Sequence, residues 1–335
     1  MYLGIKFGIS LALIGAAAHM LWGTSETVLY TMWTGFLIGL LVGSAEIAFS
    51  HPLAGRFPYS IVLLVRTTCY FAVSLVGIYG VLLLYLNKIG MTSMALRDPL
   101  VFADISTKYF LTNVNVLYIL SLTLATTVVW QLKSFFGKGV LFNYLTGRYH
   151  KPRIEERIFM FLDLNDATTL AEQLGSRRFS SLLGDFFKDI DAAITRSRGQ
   201  VFQYVGDEVV VVWKPQYGLM NSNCVNAFFM AETMVERRKG YYLTKYNSVP
   251  SFKASLHLGE VTISEVGISK REIAYHGDTI NTASRICSAA HVLGKRLLLS
   301  RAVRDQISQN GDIYFDDLGE HEVKGKYDRI HLYSV

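Results

Sequence analysis

Hydrophobic positions divide this chain into two regimes. Through the first 135 residues apolar side chains run almost unbroken, whereas from residue 158 short apolar runs alternate with amphipathic segments and turn residues. Four stretches of the first regime, residues 7–25, 27–45, 67–87 and 109–132, are almost free of charge. Each is long enough to cross a hydrocarbon core of about 30 Å, so they predict an all-α transmembrane bundle of four helices over residues 1–135. A cleaved signal peptide competes for the first stretch, but no A-x-A site followed by a soluble domain appears there.

The second regime predicts a buried strand over residues 158–162 and a helical region that starts at 168–174 and continues through 178–196, with Gly199 breaking it. Strands at 201–204 and 209–213 follow, joined by a turn at Gly206 and Asp207. Next come a helix over 222–238, strands near 252–258, 261–264 and 272–275, and a helix over 279–290. A strand at 296–299, a helix at 302–308 and terminal strands around 313–315 and 330–333 complete the pattern. Strands interleaved with helices predict one α+β or α/β domain over residues 158–335. Between the regimes, residues 136–157 place Val140, Leu141, Tyr144 and Leu145 on one helical stripe that Pro152 terminates. That linker reads either as a coupler between the two domains or as an interfacial amphipathic helix.

Charge orients the bundle. Four crossings put both termini on one side, and Lys133, Lys138, Arg148, Lys151 and Arg153 mark that side as cytoplasmic, in agreement with Lys6. The expectation is a multi-pass protein of the cell membrane whose second domain is cytoplasmic. The net charge of +6 is spent largely on residues bordering the bilayer, which favours lipid headgroups over nucleic acid as its partner. Glu46 and Arg66, at cytoplasmic edges of apolar runs, either pair across helices or reach headgroups separately. His19 is either a cofactor contact or a bundle-facing hydrogen-bond donor. Cys69, Cys224 and Cys287 have no metal-like spacing and fit structural thiols in a reducing compartment.

The chemistry concentrates on two aspartates. Asp163 ends the apolar run of IFMFLDLND and Asp207 occupies the turn of VFQYVGDEVVVVW. A carboxylate at the end of a buried strand is poorly solvated unless it meets a cation, so the pair suggests a shared divalent metal site. Asp166 stands where a helix N-cap belongs, and the amides of residues 164–168 would form a cradle for a polyphosphate. In HGDTINTASR, Asn281 and Arg285 lie four residues apart on one helix face, the former able to orient a sugar and the latter to neutralise a phosphate in transit. Near the C-terminus, EVKGKYDRIHLY supplies Lys324 and Lys326, either of which suits a terminal phosphate.

Taken together, these motifs resemble a class III nucleotidyl cyclase catalytic domain from about Arg157 to the C-terminus. FLDLNDAT resembles the family's first metal motif, YVGDE its second, GDTINTASR its transition-state helix and VKGK its phosphate-lysine motif. The resemblance implies an α+β, ferredoxin-like catalytic domain in which Asp163 and Asp207, with the Leu164 carbonyl, hold two Mg²⁺ or Mn²⁺ ions. It further implies that Asn281 holds the ribose, Arg285 stabilises the transition state, and Lys324 grips the leaving pyrophosphate of ATP. Because the family builds each site from two subunits and this chain carries both halves, a symmetric homodimer is implied.

At the two base-selecting positions the chain departs from the family. Gln203 stands where adenylyl cyclases carry lysine and guanylyl cyclases glutamate, and Ala274 replaces the usual adenylyl aspartate or threonine. A glutamine amide serves adenine in one orientation and guanine in the other, so ATP is favoured mainly by the missing guanylyl glutamate. Two rivals stand beside cyclic AMP or cyclic GMP formation. A diguanylate cyclase shares the strand-turn-strand around YVGDEVVV but leaves Asn281, Arg285 and Lys324 unexplained, and a non-catalytic membrane receptor would use the domain only to bind nucleotide.

Overall fold

The computed structural model describes residues 61–62, 64–73, 75–76, 98, 100, 104, 124, 127–128, 140–307, 313–323 and 329–335. The chain divides into two compact units, Met1–Phe135 and Phe136–Val335. In the first, the described residues between 61 and 76 are helical, and among the described residues no helix is long and apolar enough to cross a membrane. Of the spans expected from sequence, 7–25 and 27–45 lie outside the described residues, with His19 and Glu46, and the other two are described only in part.

The second unit opens with a short helix α1 (Val140–Leu145), on the stripe the sequence marks, and then alternates strands and helices. In chain order these are β1 (Arg153–Leu164), α2 (Ala167–Leu174), α3 (Ser176–Arg196), β2 (Gln200–Val205), β3 (Glu208–Trp213) and α4 (Pro215–Gly218). They are followed by α5 (Asn223–Arg237), α6 (Lys239–Tyr246), β4 (Phe252–Val266), β5 (Glu272–His276) and α7 (Asp278–Val292). The chain then forms β6 (Leu297–Ser300), α8 (Arg301–Arg304), β7 (Asp316–His321) and β8 (Ile330–Ser334). One mixed sheet of eight strands takes the order β2-β3-β1-β4-β6-β8-β7, with β5 pairing β4 off this path. Every pairing is antiparallel except β4 with β6.

Strand β1 is buried continuously from Arg157 to Leu162, which is why its sequence reads as an unbroken apolar run. Its even positions, Ile158, Met160 and Leu162, join a core with Leu182, Phe186 and Ile190 of α3 and Phe228 of α5. Its odd positions, Phe159 and Phe161, join a second core with Val210, Val212, Ala283 and Cys287. The first sheet face is therefore covered by α3 and α5 and the second by α7. Trp213 is buried on the first face, donating its indole N–H to the Ser197 carbonyl at 3.0 Å.

Several sequence-based boundaries move. The helical region expected through 168–196 is two helices, broken where Gly175 adopts φ 72 and ψ 155, a conformation that ends α2. The strands expected at 252–258 and 261–264 are one strand: Gly259 pairs with Arg157 in the β1 ladder. Glycine is needed there because a Cβ would stand 2.7 Å from Thr279 Oγ1 where α7 begins. Ile313 and Phe315 are not in a strand; they pack under the first core, and the polar segment that follows forms β7 instead. The helix expected at 302–308 is only the four-residue α8, and α6 is not anticipated at all.

Candidate active site on the second sheet face

Pairing across strands fixes which residues share a face. Asp163 is the register partner of Glu208 on β3 and of Lys253 on β4, so all three belong to the face carrying Phe159 and Phe161. Asp207 lies in the β2–β3 turn immediately beside Glu208, where Gly206 at φ 61 makes the tight reversal possible. The hairpin anticipated from sequence thus does bring the two aspartates to one end of the sheet.

Their electrostatics are those of a carboxylate cluster short of positive charge. Lys253 Nζ stands 2.7 Å from Asp163 Oδ2, and the lysine is only 8% exposed. Asp207 is raised above its ordinary value, by burial first, with the negative charge of Asp163 adding to it. Burial, with Asp163 and Asp207 adding to it, pushes Glu208 up to about 7, against the pull of Lys253. Crowded acidic oxygens of this kind need a proton or a cation between them. Among the described residues no three His, Cys, Asp or Glu side chains form a closed metal cage. Two carboxylates with a nearby carbonyl are nevertheless an apt donor set for Mg²⁺, which keeps waters and substrate phosphates in its remaining positions.

Leu164 ends β1 opposite Phe252, with its side chain buried in the first core. Asp166 occupies the N-cap position of α2 at φ 53, but its side chain makes no capping hydrogen bond, so the capping role expected from sequence is not the one it plays. The turn is held instead by Asn165, whose amide N–H donates to the Ser251 carbonyl at 2.9 Å and whose side chain donates to Ser251 Oγ at 3.2 Å.

Helix α7 carries Asn281, exposed, and Arg285, half-buried, while Thr282, Ala283, Ile286 and Cys287 are buried. The helix is locked to the sheet by Ser255 Oγ donating to the Ala283 carbonyl at 2.6 Å and by Cys287 Sγ against the Phe161 carbonyl at 3.5 Å. Burial pushes the Cys287 thiol up to about 12, so it is inert. Gln203 is exposed on β2, and Ala274 is half-buried on β5 opposite Ser264. Lys324 and Lys326 lie outside the described residues, between β7 and β8, which pair as the terminal hairpin.

Sequence reasoning missed Lys253. The signal was available: in FKASLHLGE, Lys253, Ser255 and His257 put polar groups at alternate positions of a buried strand, which marks one face of it as something other than core. Glu208 was passed over as the strand residue after the turn, although it is the cross-strand partner of Asp163.

Comparison with known proteins fits this geometry. The family described as adenylate and guanylate cyclase catalytic domain matches residues 149–335. Adenylate cyclase 2 of Rhizobium meliloti (strain 1021) is 33% identical over 230 residues, covering 68% of this chain and 63% of that protein. Adenylate cyclase 1 of the same organism is 25% identical over 214 residues, covering 63% of this chain and 31% of that protein. The chain thus spans less than two thirds of the length of these curated relatives. A solved bacterial light-regulated adenylyl cyclase shares the fold with a TM-score of 0.55 at 20% identity, covering 66% of this chain and 64% of the other.

Proposed function

Because the chain belongs to the adenylate and guanylate cyclase catalytic domain family, we propose that it is a membrane-anchored adenylate cyclase forming 3′,5′-cyclic AMP and pyrophosphate from ATP in a homodimer. The observation that carries this is the meeting of Asp163 and Asp207 at one sheet end with Lys253 as countercharge. Two Mg²⁺ or Mn²⁺ ions, when bound by these aspartates and the Leu164 carbonyl, supply Lewis acidity that makes the ribose 3′-hydroxyl a better nucleophile and offsets triphosphate charge. Lys253, the countercharge of Asp163 in the metal-free chain, would be free to offset phosphate charge if such an ion took its place. Asn281, exposed on α7, orients the ribose, and Arg285, one turn further, stabilises charge on the α-phosphate as the 3′-oxygen attacks and pyrophosphate leaves. Lys324 holds the departing pyrophosphate as a point charge.

An exposed Asn281 on the helix covering the acidic face supports a site completed by a second copy of the chain. The apolar stretches over residues 1–135 support a multi-pass membrane anchor that keeps the catalytic unit in the cytoplasm and sets how two copies meet. Cyclisation of GTP is the second reading, favoured by Gln203, whose amide can pair with either purine. The test is to purify the full chain in detergent, supply Mn²⁺ with each of the four nucleoside triphosphates, and identify the products. Cyclic AMP as the main product is the expected result. Cyclic GMP would favour the second reading, and no cyclic product at any protein concentration would overturn the enzymatic one.

A further inference from the structure

Helix α7 is held over the sheet in two different ways. Its apolar support lies to either side of β4: Ala283 and Cys287 pack with Phe159 and Phe161 of β1, and Ile286 and Ala290 with Leu298 of β6 and Leu332 of β8. Beneath the helix, β4 itself offers no apolar side chain between Lys253 and Gly259, because the positions on that face are Lys253, Ser255, His257 and Gly259. There the attachment is polar.

Thr279 Oγ1 donates to the Glu260 carbonyl at 2.6 Å, Ser255 Oγ to the Ala283 carbonyl at 2.6 Å, and Cys287 Sγ to the Phe161 carbonyl at 3.5 Å. Residues 279, 283 and 287 recur every fourth position, so the three contacts form one stripe along the helix. Phe161 and Ser255 are cross-strand partners, which sets the last two contacts at one level of the sheet. Asn281 and Arg285 follow Thr279 and Ala283 by two residues, about 200° further round the helix. They therefore stand on the side turned away from the stripe, and its position is passed to them through a rigid helix.

Ser255 is the unusual member of this stripe. Its hydroxyl is fully buried in the interior of a strand, and its acceptor is a carbonyl in the middle of a helix. In a regular α-helix the Ala283 carbonyl already takes the N–H of Cys287, so the helix does not need the bond to satisfy its backbone. The buried hydroxyl does need a partner, and α7 must sit where it supplies one. Apolar contacts are non-directional and let a helix slide along a strand, whereas a hydrogen bond of this length does not. Ser255 thus fixes the axial position of α7 two residues before Arg285.

We propose that Ser255 is a positioning residue for Arg285, acting through its bond to the Ala283 carbonyl. This rests on the nucleotide-cyclase reading above. The experiment takes the full chain in detergent with Mn²⁺ and the nucleoside triphosphate that wild type cyclises, and reads kcat and KM for Ser255→Ala, Arg285→Ala and the double variant. Ser255→Ala is expected to lower kcat about tenfold with KM little changed, within the roughly hundredfold that a misplacement of about 1 Å can cost. In the Arg285→Ala background the same change should cost about twofold or less, since a group acting through Arg285 has nothing left to act on. A loss by the same factor in both backgrounds, a change confined to KM, or wild-type turnover in folded Ser255→Ala overturns the inference. Where Ser255→Ala does not fold, Ser255→Cys, close to serine in volume but a weak donor, is read in its place. Hydrogen–deuterium exchange tests the dock apart from the reaction: α7 amides should exchange about fivefold faster in Ser255→Ala and α3 amides at the wild-type rate. Unaltered α7 exchange also overturns the inference, whereas a wild type inactive with every nucleoside triphosphate sinks the cyclase reading and leaves the dock to be judged by exchange.

Discussion

Replacing Lys253 with methionine should cost the metal-free protein stability and make the loss reversible by a divalent ion. The lysine side chain is 11% exposed and that of Asp163 29%, at a separation of 2.7 Å. Removing one partner of a buried ion pair costs about 3–5 kcal/mol because the other charge is left behind. Since Asp163 keeps some contact with water, the lower end applies, about 3 kcal/mol. Asp207 and Glu208 add to the penalty, because Lys253 is the cation that offsets both. For a unit of this size that loss lowers the melting temperature by roughly 6–12 °C. Saturating Mn²⁺ supplies the missing charge, returning about 2.7 kcal/mol at a hundredfold excess over Kd, and should stabilise the variant more than wild type. Thermal or urea unfolding of both proteins with and without Mn²⁺ measures all of this. A metal-free Lys253→Met protein as stable as wild type would refute the electrostatic account, as would equal stabilisation of the two by Mn²⁺.

In the proposed cyclase reaction Arg285 offsets transition-state charge, so Arg285→Ala should lower kcat by about a hundredfold or more with KM for the nucleotide little changed; unchanged turnover would favour diguanylate-type chemistry. Asp185 accepts hydrogen bonds from Tyr241, Tyr246 and Lys245 and, despite burial, is held at about 2 by these partners. Its folded value is depressed, so its contribution is full above about pH 4 and is lost as pH falls through about 2; Asp185→Asn should cost about 1–2 kcal/mol at pH 7 and only a small part of that at pH 2, read by urea unfolding. Gly199→Ala would put a Cβ 2.8 Å from the Trp213 ring and should destabilise by about 1–3 kcal/mol, whereas Gly184→Ala, within α3 and with open space around it, should stabilise by about 0.5–1 kcal/mol in the same assay.

Local pattern carried the elements whose burial and chemistry agree. The β2–β3 hairpin was legible because Gly206 and Asp207 are turn residues between two apolar runs, and α7 because its buried positions recur at helical spacing. Misplaced boundaries arose where one residue answers to a distant neighbour. Gly259 reads as a break only until Thr279 is brought against it, and Ile313 and Phe315 read as strand because sequence does not say whether apolar residues meet a ladder or a core. Within the candidate site the two aspartates were legible from a strand end and a turn, whereas partners defined by register were not. Lys253 lies ninety residues from Asp163, and only the β1–β4 pairing makes them partners.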